Sequence, residues 1–139
     1  MRFVDASVFV HAYLKPRRML SQHERDIKDA AKEMVRRIQR GERVALTVVQ
    51  LAEIANILEK YMPPRAALDV GKYLLYAPHV TIYGVDLGMC REALRVAETN
   101  HIGFSDAVAY VAMLRSGIRE IYSFDRDFDK LSGIKRVVG

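Results

Sequence analysis

The chain has 139 residues, half of them hydrophobic, with 22 lysines and arginines against 17 aspartates and glutamates and a mean hydropathy near zero. This length predicts one domain over residues 1–139, and the composition excludes an intrinsically disordered chain. The single cysteine, Cys90, excludes an internal disulfide, and we find neither a secretory signal nor an apolar run that could span a bilayer, so we expect a cytoplasmic protein without a membrane partner.

Strand signals alternate with helix signals along the chain. The predicted strands cover residues 1–4, 44–46, 79–83, 120–124 and 135–138. The predicted helices cover residues 21–40, 47–62, 64–78, 86–100 and 105–116, and Ser105 is expected to cap the last of them. Because helices separate nearly all the strands, the pattern predicts an α/β fold with three layers, α/β/α, around a central, mainly parallel sheet of about 4–5 strands.

Two predicted strands run into an aspartate, Asp5 after the first and Asp125 after the fourth. The carboxyl ends of parallel strands meet at one edge of a sheet, which is where such folds bind ligands. We therefore expect both carboxylates at that edge. Each aspartate also has a structural interpretation, in which it caps the turn that follows its strand.

Two further acids lie on predicted helices that are otherwise apolar. Glu53 is surrounded by apolar residues between Val48 and Leu58, and no basic residue lies within one helical turn of it. A carboxylate in such a helix is costly to bury unless something elsewhere in the fold compensates it. Asp106 precedes the uncharged run Ala107–Leu114, although an acid in the first turn of a helix is also favoured by the helix dipole.

Together, the four acids predict a metal site. Bare carboxylates crowded into one cleft would repel one another and take up protons. Mg²⁺ or Mn²⁺ would relieve that repulsion, and one or two such ions can produce a hydroxide nucleophile and stabilise a displaced phosphate oxygen. We therefore interpret these acids as catalytic metal ligands of an enzyme that hydrolyses phosphodiester bonds: Asp5, Glu53, Asp106 and Asp125.

The segments that carry the acids resemble the motifs of the PIN-domain nucleases, in particular the toxins of VapBC toxin–antitoxin pairs. The matching segments are residues 3–9 (FVDASVF), 51–54 (LAEI), 104–109 (FSDAVA) and 122–128 (YSFDRDF). The resemblance implies metal-dependent RNA cleavage by the same four acids. It also places Ser123 where the family has a small hydroxyl residue near the metal site, and we expect Ser123 to bind the substrate there. The resemblance further implies a homodimer and a cognate antitoxin whose C-terminal segment fills the acidic cleft or the groove beside it.

The surplus of basic residues is confined to residues 1–48, which is typical of a surface that binds an RNA backbone. Lys32, Arg36 and Arg40 lie on the helix predicted over residues 21–40, and we expect them to bind the RNA substrate. The same residues are also compatible with an ordinary solvated helix face, because acidic residues within the helix offer local ion-pair partners.

Three other functions stay open at this stage. The first is a PIN-domain RNA-processing nuclease without an antitoxin. The second is a haloacid-dehalogenase-like phosphatase, for which Asp125 and Asp129 have suitable spacing, but Ser7 replaces the expected second aspartate and Glu53 has no role. The third is a non-catalytic RNA- or partner-binding module, against which the complete acidic set argues. The sequence assigns no role to Asp127.

Overall fold

The computed structural model describes residues 1–139 and contains five strands and six α-helices. The strands are β1 (Arg2–Val4), β2 (Val44–Thr47), β3 (Val80–Tyr83), β4 (Glu120–Tyr122) and β5 (Lys135–Val137). The helices are α1 (Ala6–Tyr13), α2 (Gln22–Gln39), α3 (Val48–Tyr61), α4 (Pro64–Tyr76), α5 (Leu87–Asn100) and α6 (Phe104–Ser116). A 3₁₀ turn, Arg126–Lys130, connects β4 to β5. None of the helices combines the length and hydrophobicity that a membrane crossing requires.

The five strands form one parallel sheet in the order β3-β2-β1-β4-β5. The chain leaves β1 toward β2 and β3, and later returns to the other side of β1 to form β4 and β5. The crevice between the carboxyl ends of β1 and β4 is therefore the point at which the strand order reverses. Open parallel sheets bind their ligands at such a point.

Helices cover both faces of the sheet. α5 and α6 form one layer, in which the buried run Ala107–Met113 packs with Phe3 and Ile121. α1, α2, α3 and α4 form the other layer, which packs on Val4 and Tyr122. Adjacent residues of a strand point to opposite faces, so each short strand contributes to both hydrophobic cores. This arrangement confirms the predicted three-layer α/β/α fold.

The helix starts follow the predicted capping signals, with one exception. Both predicted capping boxes form, at the N-termini of α2 and α3. The prediction that Ser105 caps the last helix is wrong, because α6 begins at Phe104 with Gly103 at the N-cap. The backbone carbonyl of Ser105 accepts a hydrogen bond from the side chain of Gln50, which connects the first turns of α6 and α3.

A matched pair of leucines tests this assignment of the core. Leu58 of α3 has no exposed surface, whereas Leu75 of α4 is 53 % exposed. We expect Leu58→Ala to lower the free energy of unfolding by about 2–5 kcal/mol, because it leaves a cavity in the core. We expect Leu75→Ala to change the free energy of unfolding by less than about 1 kcal/mol. Urea unfolding followed by circular dichroism measures both values, and equal losses would contradict the assignment.

Candidate functional site

All four acids predicted from the sequence line one cavity at the carboxyl ends of β1 and β4. The cavity has a volume of about 260 Å³. Its acids come from four separate parts of the fold: the residue after β1, helix α3, the first turn of α6 and the loop after β4. These acids are Asp5, Glu53, Asp106 and Asp125. The fold therefore brings together carboxylates that lie far apart along the chain.

Asp5 is the most deeply buried of these acids, at 4 % exposure. Its side chain makes no capping hydrogen bond to α1. Instead, Oδ2 accepts hydrogen bonds from the hydroxyls of Ser7 at 2.6 Å and Ser123 at 2.8 Å. Burial raises the pKa of Asp5, and the hydrogen bonds from the two serines oppose that rise. The two hydroxyls thus hold the carboxylate in one orientation toward the cavity.

Ser123 connects the two aspartates that follow strands. Its hydroxyl donates to Asp5 and accepts a hydrogen bond from the backbone N–H of Asp125 at 3.0 Å. No part of Ser123 reaches solvent in this structure, and its contact with substrate stays a prediction. Its position suits it to orient Asp5 and Asp125.

Glu53 faces the cavity with one oxygen left unpartnered. Its Oε2 atom is buried and has no hydrogen-bond partner. Burial raises the pKa of Glu53, and the carboxylates of Asp5 and Asp125 raise it further. Leaving a buried acceptor unsatisfied costs about 1–3 kcal/mol, and more if the group is charged. The orphaned oxygen therefore indicates a site for a proton or a cation.

A fifth acid, Asp127, joins the cluster. One carboxylate oxygen from each of Asp106, Asp125 and Asp127 lies within 4.8 Å of the other two. Burial is the main cause that raises the pKa of Asp106 to about 8, and the nearby charges of Asp5 and Asp125 contribute. Lys130 forms an ion pair with Asp127 at 3.0 Å, but no basic side chain pairs with the other members of the cluster.

The tight turn after β4 explains how Asp127 enters the site. Oδ1 of Asp125 accepts a hydrogen bond from the backbone N–H of Asp127 at 2.9 Å, and this bond caps the 3₁₀ turn. Asp125 therefore caps the turn that follows its strand, and it also lines the acidic cavity. The Asp-x-Asp spacing directly after a strand is the sequence signal that could have identified Asp127, because the turn brings both carboxylates to the same edge of the sheet.

The cluster fits a hard divalent cation. Its donors are all carboxylate oxygens, which Mg²⁺ and Mn²⁺ prefer. One buried oxygen lacks a partner, and one carboxyl group retains its proton up to about pH 8 without a counter-ion. A bound divalent ion would satisfy both features at once.

The basic residues expected to bind RNA do not line this cavity: Lys32, Arg36 and Arg40. Near its start, α2 approaches the site, since Lys28 donates a hydrogen bond to the backbone carbonyl of His11, which lines the cavity. The helix then runs toward the amino end of β2, which is the opposite edge of the sheet. Glu33 forms ion pairs with both arginines. Their contact with substrate stays a prediction, and it requires an RNA that extends along α2.

Gln50 fixes the spacing between the two helices that carry acids. The residue is 1 % exposed. Its Nε2 donates to the carbonyl of Ser105 at 2.7 Å, while its Oε1 accepts from the backbone N–H of Thr47 at 3.2 Å. A single buried amide thus joins the start of α3, which carries Glu53, to the start of α6, which carries Asp106.

The variant Gln50→Glu tests this positioning role. It keeps an oxygen for Thr47 but places an acceptor against the carbonyl of Ser105. We expect the free energy of unfolding to fall by about 1–3 kcal/mol, and we also expect Mn²⁺ to stabilise the variant less than the wild type. The control Gln39→Glu makes the same change at the exposed end of α2. Denaturant unfolding with and without Mn²⁺ measures both effects, and equal behaviour of the two variants would contradict the role.

The raised pKa of Asp106 predicts how stability depends on pH. The pKa is 3.8 ordinarily and about 8 in the folded chain, so the folded state binds this proton more tightly than the unfolded state does. The free energy of unfolding should therefore fall as the pH rises from about 4 to about 8. In Asp106→Asn, which cannot ionise, the fall should be smaller, and Asp69→Asn on the exposed face of α4 is the control. Thermal unfolding across this range measures the slope, and an unchanged slope in Asp106→Asn would contradict the assignment.

Solved structures similar to this chain include toxins and toxin–antitoxin complexes. The sarcin-ricin loop cleaving toxin VapC20 of Mycobacterium tuberculosis is 20 % identical over 96 % of this chain and 97 % of its own, with a TM-score of 0.74. A toxin–antitoxin complex from Klebsiella pneumoniae is 10 % identical over 97 % of this chain and 96 % of its own, with a TM-score of 0.65. VapBC2 of Rickettsia felis, bound to a fragment of its promoter DNA, is 12 % identical over 98 % of this chain and 96 % of its own, with a TM-score of 0.63.

At these identities, the similarity to solved structures concerns the fold. A search of curated protein sequences found no significant match. The family described as PIN domain matches residues 2–134, which include all five clustered acids. The chain therefore belongs to the PIN domain family.

Proposed function

We propose that this protein is a Mg²⁺- or Mn²⁺-dependent endoribonuclease that hydrolyses RNA phosphodiester bonds and acts as the toxin of a toxin–antitoxin pair. The observation that carries the proposal is the convergence of four carboxylates on one cavity that no lysine or arginine lines. Membership of the PIN domain family supports the nuclease activity. The structural likeness to a VapC toxin and to toxin–antitoxin complexes supports the biological role.

The cavity offers two groups of metal ligands. Asp106, Asp125 and Asp127 are close enough to share one ion, and Asp5 and Glu53 face the same space. A bound Mg²⁺ or Mn²⁺ would neutralise the cluster, lower the pKa of a water molecule and stabilise charge on the leaving oxygen.

The protein's own residues would orient the reaction. Ser7 and Ser123 hold Asp5, while Gln50 sets the separation of the helices on which Glu53 and Asp106 lie. Oε2 of Glu53 is buried without a hydrogen-bond partner, so it is the oxygen of this residue that would bind the cation.

The alternative functions are less consistent with these observations. Membership of the PIN domain family argues against a haloacid-dehalogenase-like phosphatase. A non-catalytic module has no need for five clustered carboxylates, three of which have a raised pKa: Asp5, Glu53 and Asp106. An RNA-processing nuclease without an antitoxin would use the same site. The two biological roles, RNA processing and toxin, are therefore distinguished by whether the surface beside the site can bind an antitoxin.

That surface favours an antitoxin. An apolar cavity of about 240 Å³ lies between α1 and the start of α2, and its walls include Leu14, Leu20 and Ile27. Val10 and His11 line both this cavity and the acidic one. An amphipathic segment with apolar side chains in the groove would therefore place a following arginine against the carboxylates. Grooves of this kind bind the apolar face of a helix.

The homodimer is a further part of this proposal. Leu68, Leu75 and Tyr76 of α4 are all more than half exposed, and they offer an apolar face on the layer opposite α5 and α6. Two copies packed through this face would cover side chains that are otherwise in water. Light scattering of the purified chain distinguishes a dimer from a monomer.

Substitution of the acids tests the nuclease activity directly. Asp5→Asn and Asp125→Asn should each lower Mn²⁺-dependent cleavage of RNA at least about 100-fold, because each removes a charge that the metal requires. The control Asp69→Asn makes the same change on the exposed surface of α4 and should cleave like the wild type. Chelation with EDTA should abolish cleavage, and added Mn²⁺ should restore it.

The readout is the cleavage rate on total cellular RNA, with circular dichroism to establish that each variant folds. Folded Asp5→Asn and Asp125→Asn proteins that cleave at the wild-type rate would contradict the assigned site. Wild-type cleavage that continues in EDTA would contradict the requirement for a metal.

A further inference from the structure

A second cavity adjoins the acidic one at the loop after β4. It has a volume of about 290 Å³, and Phe124 and Arg126 both line it. Asp125, which lies between them in sequence, lines the acidic cavity. The backbone of Asp125 is extended, so consecutive side chains point in opposite directions. One short segment of chain therefore forms a wall of both cavities.

An aromatic contact also connects the two cavities. The ring of His11, which lines the acidic cavity, meets the ring of Phe124 edge to face, with centroids 5.5 Å apart and planes at 82°. An RNA strand whose phosphate lies at the acids would thus have this pair of rings directly beside it. Phe124 is partly buried against the core, and the rest of its ring lines the second cavity. Aromatic rings that reach the surface stack on the bases of single-stranded RNA.

The charges of the second cavity are balanced, which argues against a phosphate as its occupant. Arg136 is committed to a bidentate ion pair with Asp129, at 3.0 and 3.1 Å, and its Nη1 also donates to the carbonyl of Ser123 at 3.3 Å. Arg126 and Asp26 then remain as one cation and one anion, with His23 beside them. A neutral planar group with both donors and acceptors matches such a pair better than an anion does.

The remaining walls suit the faces of a base. Ile27, Ala30 and Val138 line the cavity together with Phe124 and provide apolar surface. Arg126 is exposed and forms no ion pair, so its guanidinium is free to donate. Asp26 accepts one hydrogen bond at Oδ1, from the Gln22 amide at 2.8 Å, which leaves Oδ2 free to accept.

Guanine and cytosine both offer acceptors to an arginine and an amino group to a carboxylate, and guanine, as a purine, presents the larger face to the apolar walls. Guanine presents the acceptors O6 and N7, which arginine recognises, and an N2 amino group that donates to a carboxylate. Adenine presents its amino group at the position of O6, where it would face the arginine. We propose that the cavity lined by Asp26, Phe124 and Arg126 is a subsite for a guanine base next to the bond that is cleaved; this rests on the proposed RNA cleavage.

Mapping of cleavage sites tests the subsite within the reaction. A randomised single-stranded RNA is cut by the wild type in Mn²⁺, and we expect guanine to be enriched about tenfold at one fixed position relative to the cut. Asp26→Asn and Arg126→Ala should lose that enrichment. The controls Asp29→Asn on α2 and Arg95→Ala on α5 make the same changes at exposed positions and should retain it.

Binding of mononucleotides tests the subsite without cleavage. In metal-free protein, GMP should shift the backbone amide signals of Ile27, Phe124 and Arg126 in NMR spectra and should bind about tenfold more tightly than AMP. IMP, which lacks the 2-amino group, should bind between the two. Asp26→Asn should reduce the difference between GMP and IMP.

The two readouts separate the subsite from the proposed function. RNA cleavage without a guanine preference, together with equal binding of GMP and AMP, would overturn the subsite and leave the nuclease intact. Selective GMP binding at these residues without any RNA cleavage would support the guanine site and overturn the nuclease. GMP-induced shifts confined to other surfaces would overturn the subsite.

Discussion

Repulsion among carboxylates in a partly dehydrated cavity is the constraint on which this site depends. Burial and the nearby charges of Asp5 and Asp125 raise the pKa of Asp106 to about 8, and the buried Oε2 of Glu53 has no partner. Lys130 pairs with Asp127, but no basic side chain pairs with Asp106 or Glu53. Replacing an acid by an amide, or adding one lysine, would remove this cost. A divalent cation from solution would relieve this cost, and for that reason we propose that the cluster binds a metal.

The parallel sheet makes this arrangement possible. β1 and β4 are neighbours at the point where the strand order reverses, so their carboxyl ends open into one crevice. Polar contacts then hold the acids in place. Ser123 joins Asp5 to Asp125, and Gln50 joins the starts of α3 and α6. Arg136 ties β5 to the 3₁₀ turn through Asp129. These contacts give a rigid frame to groups that repel one another.

The sequence predicted the five strands and the five longer helices because capping boxes, prolines and strand-like runs are local signals, but it missed the short helix α1. It also predicted that the four acids lie together, since a carboxylate at the end of a strand or within an apolar helix conflicts with ordinary burial; their role in catalysis stays a prediction. Asp127 was missed because an Asp-x-Asp pair after a strand also reads as a turn. The placement of Arg36 and Arg40 could not be predicted, because a basic stripe does not reveal toward which edge of the sheet its helix runs. Ser105 was mistaken for a helix cap. Its backbone carbonyl instead accepts a hydrogen bond from Gln50, and a contact between residues so far apart in sequence leaves no local signal.

The most direct test of the central claim is the anomalous diffraction of crystals soaked in Mn²⁺. We predict an anomalous peak among the carboxylates of Asp106, Asp125 and Asp127, with oxygen–metal distances of about 2.0–2.3 Å. The peak should be absent from crystals of Asp125→Asn. Soaked crystals that show no peak in this cavity, or a peak only elsewhere on the protein, would contradict the claim that the carboxylate cluster is a metal site.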